Sequence, residues 1–455
     1  MTMLSQIAYS GLHATQLALS GTAHNVANVN TPGFSRVGTV MGSTPGYGGL
    51  SAGGGVQVVG IRRISSDFYN HQLWRATSEK SYHDNTQQYL SALEGVMAGD
   101  GASISVGLDR FFAALSELST TPESTALRQQ VVSEAGNLAA RFNLLAGNVD
   151  AQVRSLQAQR SAMVDGANRL MSNVAALNQQ IVEVESVGGD SKALRDHRDI
   201  LVQDLSTYAS VRVLEAQDGS ITVSLDNGQP LVAGSLASTL ELATLPSGDQ
   251  ALSLAFSTTQ FPLQQSRLGG ALGGLHRVEQ GSLKSVLNNL HDMASALSQT
   301  VNDTLATGYD LNGNPGAALF SYDPSSITGM LSVQPLSAAD LALSGVADEV
   351  GNNEVLLQLL KLGQTPLTVA GNLVTLNEAY AAMLGRVASD SRQTQADLQS
   401  ATTVQAQAQA RRDSVSAVNL DEEAVNLLNF QQAYQANMKI ITTANALFDD
   451  LLAAF

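Results

Sequence analysis

From Leu420 the chain carries a repeat that admits few folds. Leu420, Ala424, Leu427, Gln431, Tyr434, Met438, Ile441, Asn445, Phe448, Leu452 and Phe455 follow one another in alternating steps of four and three residues. This is a heptad seam, the signature of a helix that buries one narrow stripe against other helices. Asn419 is placed to cap it, and Asp421, Glu422 and Glu423 put negative charge in its first turn. The beginning of the chain offers a partner. Ala8, Leu12, Thr15, Leu19, Thr22 and Val26 repeat the spacing, with Leu4 and Ala23 beside them. That second seam is rich in Ala, Thr, Ser and Gly, so an isolated pair buries little apolar area and is weakly stable. Copies from neighbouring molecules would complete it.

Directly after the first helix comes Asn25-Val26-Ala27-Asn28-Val29-Asn30-Thr31-Pro32-Gly33-Phe34. Asn tolerates left-handed backbone and ends helices, Pro32 pushes Thr31 out of the helical region, and Pro-Gly suits a type II turn. The stretch is a helix stop with an extended exit. It resembles the N-terminal signature shared by the axial proteins of the bacterial flagellum, namely rod, hook and hook-associated proteins.

Bulk properties exclude several classes of function. A net charge of −16 with only five Lys argues against nucleic acid or an anionic membrane as partner. No apolar run approaches membrane-spanning length, so membrane insertion is not expected. The first twenty residues lack the basic start and apolar core of a secretory signal. Without Cys there are no disulfides, thiolate catalysis or Cys-based metal sites. The seven His never pair at metal-ligand spacing on one helix face, and no nucleophile elbow or Ser-x-x-Lys occurs. Gly53-Gly54-Gly55 and Gly269-Gly270-Ala271-Leu272-Gly273-Gly274 lack the context of phosphate or dinucleotide loops. The reading is therefore not an enzyme, with no catalytic residue, metal or cofactor.

Between the ends, Gly42 to Gly55 reads as a flexible loop and Val56 to Ile64 as a strand. Helical spacing runs from Asp67 to about Met97. Thr121-Pro122-Glu123 reads as a helix start, and apolar residues from Leu127 to Val184 then keep helical spacing for some sixty residues. A continuous helix of that length spans roughly 90 Å. A further helix, Ser191 to Tyr208, carries Arg195-Asp196-His197-Arg198-Asp199, read as a solvated, salt-bridged face. At Val211 the period falls to two. Val211 and Val213, Ile221 to Leu225, Leu240 and Leu242, and Leu252 to Phe256 alternate around the turn signals Asp218-Gly219 and Asp226-Asn227-Gly228. Helix resumes from Gly281 to Thr307. Gly308-Tyr309-Asp310-Leu311-Asn312-Gly313-Asn314 is read as a turn, because the Gly and distal Glu of a calcium loop are missing. Residues 320–350 carry short apolar runs that complete the β region, and from Glu354 the chain reads as helical to its end.

Residues 420–452, LDEEAVNLLNFQQAYQANMKIITTANALFDDLL, closely resemble the C-terminal signature of the flagellar hook-associated protein 1 family. The block around Arg198-Asp199, the Asp218-Gly219 hairpin and the 308–313 turn resemble it as well. The implied fold is mainly α with an inserted small β domain, elongated, with coiled-coil-like terminal helices. Residues 1–64 with 413–455 would form a terminal helical domain. An α-helical shell would comprise 65–208 with 265–312 and 352–412, and an outer β domain 209–264 with 313–351.

The resemblance also implies a structural part of the flagellum at the hook–filament junction, exported by the flagellar type III apparatus. Its implied partners are a ring of its own copies, the hook protein, a second hook–filament junction protein and a dedicated export chaperone. Candidate assembly residues are Leu12, Leu19, Asn25, Val26, Asn28, Thr31, Gly33, Phe34, Leu420, Leu427, Tyr434, Met438, Ile441, Phe448 and Leu452. The alternative is another axial protein, hook or distal rod, and the long helical region from 123 to 208 argues against it.

Overall fold

The computed structural model describes residues 3–46 and 53–453; Phe455, the last seam position, and the centre of the Gly42–Gly55 loop lie outside these. The first helix, α1 (Met3–Ala27), leads through the Asn-Pro-Gly turn into a hairpin of β1 (Val37–Thr44) and β2 (Gly55–Arg63). The loop expected from Gly42 therefore begins three residues later, because Gly42, Ser43 and Thr44 are still paired with Gln57, Val56 and Gly55.

The body follows. Helix α2 (Asp67–Ala98) and α3 (Ile104–Leu118) precede α4 (Thr125–Ser186), a single helix of 62 residues. Its cap is Ser124, whose hydroxyl accepts from the Leu127 N–H, so the expected start at Thr121 moves by three residues. Thr121 instead closes a turn, its carbonyl accepting from the Ser124 N–H. Helix α5 (Lys192–Tyr208) then turns back along α4.

Seven strands follow as two antiparallel meanders. One is β3 (Val211–Glu215), β4 (Ile221–Leu225), β5 (Pro230–Ala233) and β6 (Leu236–Ala237). The other is β7 (Thr239–Thr244), β8 (Gln250–Phe256) and β9 (Thr259–Pro262). Leu240 lies opposite Leu254 and Leu242 opposite Leu252, the pairing that the alternation calls for. Helices α6 (Gly270–Val278) and α7 (Lys284–Leu305) are joined by a π-helical turn at Glu279–Leu283. Next come the short hairpin β10 (Phe320–Tyr322) and β11 (Leu331–Val333), then α8 (Glu354–Leu362) and a second small hairpin, β12 (Leu367–Val369) with β13 (Asn372–Val374). The chain closes with α9 (Leu376–Ser416) and α10 (Leu420–Ala453).

Two large apolar clusters divide the body, and α4 runs through both. Its first half, Val131 to Leu156, packs with α2, α3, α7, α8 and α9. Its second half, Val164 to Ala175, backs the β3–β9 strands together with Val202 and Leu205 of α5. The fold is thus mainly α with a small inserted β region. Residues 313–351 differ from their expected place. Leu319, Phe320, Met330, Leu331, Leu341 and Leu343 are buried in the helical cluster and not with the other strands. Their short apolar runs carry no information about which surface they cover, and Asn143 of α4 fixes β11 there by exchanging hydrogen bonds with Leu331 N and O at 3.1 and 2.8 Å. The hairpin β12–β13 was also hidden within a stretch that reads as helix. The Asp310 loop is a turn: its carboxylate accepts the N–H groups of Asn312 and Asn314, each at 2.8 Å.

Candidate functional site

Helix α1 lies along α10 and also against the β1–β2 hairpin. The α1 residues buried by these contacts are Ser5, Ala8, Ala14, Thr15, Ala18, Gly21, Thr22 and Asn25. Half of the expected seam is therefore displaced. Ala8, Thr15 and Thr22 face inward, whereas Leu12 and Leu19 are only half-buried and Val26 is exposed. Small residues win because α1 sits close to two neighbours at once. A Cβ at Gly11 would lie 2.7 Å from the Asn437 side chain of α10, and the Ser10 hydroxyl accepts from the Val56 N–H on the hairpin.

On α10 the contrast is stronger. Glu423 and Ala444 are its only fully buried positions among the described residues, with Asn426, Phe430, Tyr434, Asn437 and Ile441 half-buried. The large apolar seam residues stay in the open: Leu420, Leu427, Met438, Phe448 and Leu452 are 38–59% exposed. Val425, Leu428, Ile440, Leu447 and Leu451 are exposed beside them, as are Met3, Leu4 and Tyr9 on α1. The terminal pair thus buries its polar and small residues and presents its large apolar ones outward. A soluble monomer does not normally leave so continuous an apolar surface uncovered.

At its inner end the pair is held by polar contacts. The buried Asn25 amide donates to Val37 O at 3.0 Å and Glu423 Oε1 at 2.9 Å, while its Oδ1 accepts from the Val37 N–H at 2.8 Å. One side chain thereby ties α1, β1 and α10 together. Asn419 accepts from the Asp421 N–H as a cap, and Arg36 pairs with Glu422. Asn28 donates to His24 O and accepts from Thr31, which shapes the turn; Thr31 itself is exposed. Gly33 has φ +74°, and a Cβ there would lie 2.4 Å from Ile200 of α5, so only glycine fits. Phe34, half-buried, meets His24 edge-on.

The seat on the body is the part that sequence reading missed. Asp196 and Asp199 of α5 both grip Arg63, and Asp196 also accepts from the Ser35 N–H at 3.1 Å. Burial works against the Arg63 charge, but the two carboxylates more than offset it and hold its pKa above the usual value. Between these two carboxylates in the chain, Arg198 is buried and donates to Gly219 O of the β3–β4 turn at 2.7 Å. Arg195 bridges Glu185 and Glu215. The 195–199 run is therefore salt-bridged but, apart from His197, not a solvated face. Alternate residues grip the terminal segment and the β strands. Charge pairs close in space but distant in sequence leave no local signal, although so dense a run with buried periodicity was the available hint.

The Arg195 hydrogen bond is the main reason that the Glu185 carboxyl titrates below its ordinary range, against a smaller opposing effect of burial. A carboxyl depressed in the folded state adds stability above its unfolded value and loses it as pH falls through the folded one. Melting of the parent should therefore fall more steeply than that of Arg195→Ala as pH drops below about 4.5. Parallel melting curves over that range would contradict this.

Among the described residues no group of His, Asp or Glu could hold a metal, and no helix is long and apolar enough to cross a membrane. Comparison with known proteins agrees with the architecture. Residues 6–34 match the family model described as flagella basal body rod protein, and residues 410–454 that of the flagellar basal body rod FlgEFG protein C-terminal region. Flagellar hook-associated protein 1 of Escherichia coli K12 is 26% identical, across 99% of this chain and all of the relative. The Salmonella typhimurium protein of the same name is 28% identical over 99% and 100%, and that of Bacillus subtilis 26% over 98% and 97%. The solved structure of the flagellar hook junction protein FlgK from Burkholderia pseudomallei shares the fold, with a TM-score of 0.70 at 17% identity, over 76% of this chain and all of that one. More than half of the chain, residues 90–320, matches the model of the flagellar hook-associated protein FlgK helical domain, and the chain belongs to that family.

Proposed function

We propose that this chain is a structural subunit of the hook–filament junction, and that α1 and α10 are its means of assembly. The observation that carries the reading is the outward apolar surface of the terminal pair, from Leu420 to Leu452. Covering it with the same surface of neighbouring copies removes apolar area from water at about 25 cal/mol per Å². Repetition around a ring satisfies every copy alike. In this reading the terminal helices with the β1–β2 hairpin form an inner domain, the long helices a shell, and strands β3–β9 the outer surface. The axial neighbours would be the hook protein on one side and the second junction protein on the other. Export through the flagellar type III apparatus, with a chaperone shielding the exposed seam of α10, fits the same surface: an amphipathic helix laid in a groove is a common way to cover one.

Deleting the coding sequence tests this. The expected cells carry complete hooks, lack filaments and release flagellin into the medium, and the intact chain restores filaments. Normal filaments would refute the reading, and missing hooks would point to a hook or rod subunit.

A further inference from the structure

Two connections alone join the terminal unit to the body, residues 64–66 and 417–419, and neither is helical or strand. Between the unit and the body lies a cleft of about 440 Å³. Its outer wall is the 28–34 turn; its floor and far wall are Leu73 and Trp74 of α2, Asp199 to Asp204 of α5, and the end of α9. The two sides of the cleft are held unequally. On one side Arg63 is gripped by two largely buried carboxylates, and Gly33 abuts Ile200. On the other there is no ion pair: Arg412 donates a hydrogen bond of 3.1 Å to Gly33 O, and the Arg36 N–H donates to Ser416 O at 2.8 Å. Beside this joint Ser35 Oγ, Arg36 Nε and Ser416 Oγ are buried without a hydrogen-bond partner. Buried polar groups are nearly always paired, so this side of the joint is the less completely bonded one.

We propose that the joint is a hinge: the terminal unit tips about the Arg63 pin, the Arg412–Gly33 and Arg36–Ser416 hydrogen bonds are the latch, and the cleft is the room it moves through. Closing brings Val29 and Val418 towards Leu73, Trp74 and Ile200, which gives the motion an apolar reward, while extended connectors absorb the backbone change. The hinge lets the angle between the terminal helices and the body adjust as a copy enters the ring. That use rests on the assembly reading above; the motion itself is a property of the free chain.

The absence of Cys makes a direct test clean. Asn30 on the turn and Gln203 on α5 both line the cleft. In the full chain carrying Asn30→Cys with Gln203→Cys, a disulfide forms only in arrangements that bring the two Cα atoms within about 7 Å. Under mild oxidant an intramolecular cross-link should accumulate. Adding Arg412→Ala should speed it about three-fold or more, the worth of one released hydrogen bond. Adding Arg63→Ala should slow it, because the walls no longer meet in register. Loosening or local unfolding predicts the opposite for Arg63, so faster linking in Arg63→Ala overturns the proposal, as does no cross-link at all. Melting of each variant verifies that the body is folded. The deletion strain can behave as expected while this test fails, and the reverse, so the two readings fail separately.

Discussion

A chain carrying Phe448→Asp with Leu452→Asp should fold, remain soluble and melt like its parent, yet support no filaments. Both side chains are at least half exposed in the single chain, at 50% and 59%. Surface substitutions of that kind change monomer stability by no more than about 0.5 kcal/mol. In the proposed ring the same side chains would meet a neighbour, and truncating a buried Phe or Leu costs about 2–5 kcal/mol, before the burial of a carboxylate is added. The loss recurs in every copy. The effect on assembly is therefore all-or-none while the effect on the monomer is close to nothing. Calorimetry of the purified chain and electron microscopy of the complemented strain check the two halves. A clear fall in the monomer transition would place these residues in an ordinary core.

The opposite pattern is expected at Glu279. It lies in the π-helical turn, 1% exposed, and pairs with Arg160 of α4, whose side chain is fully buried. Arg160 also donates to Gln250 of β8, and Gln157 to Glu279, so the pair knits α4, the turn and the second meander together. Glu279→Ala leaves the Arg160 charge buried without its counterion. Breaking one side of such a pair costs about 3–5 kcal/mol. The melting temperature should then fall by roughly 3–7 °C. Replacing both residues, as Arg160→Met with Glu279→Leu, should recover most of the loss, because a fitting apolar pair needs no compensation. A fall as small as that of an exposed charge removal, about 1 kcal/mol or less, would contradict the account.

What could be read from the sequence was whatever repeats locally. The sixty-residue helical period gave α4, the change of period at Val211 gave β3 and β4, and Asn-Val-Asn-Thr-Pro-Gly gave the turn after α1. What could not be read depends on partners distant in the chain. The heptad arithmetic found a seam on α10 but could not say which flank meets α1. The close approach of two helices and a hairpin selected Gly11, Thr15 and Ala18 over Leu12 and Leu19. Residues 320–333 read as strands, and do pair, but the surface they cover is set by Asn143, 188 residues earlier in the chain. The Arg63 seat shows the same limit. Its carboxylates lie more than 130 residues away, and only the fold brings them together.

Labelling of a single introduced thiol tests the central claim most directly. Leu427→Cys places the chain's one thiol on the outward flank of α10, at a position 38% exposed. In the free chain it should react with a maleimide as readily as an exposed control such as His197→Cys. In isolated hook–filament structures that contain the variant, Leu427→Cys should be protected while the control still labels, because neighbouring copies cover the seam. Equal labelling of both positions in the assembled structures would contradict the assembly role of the terminal helices.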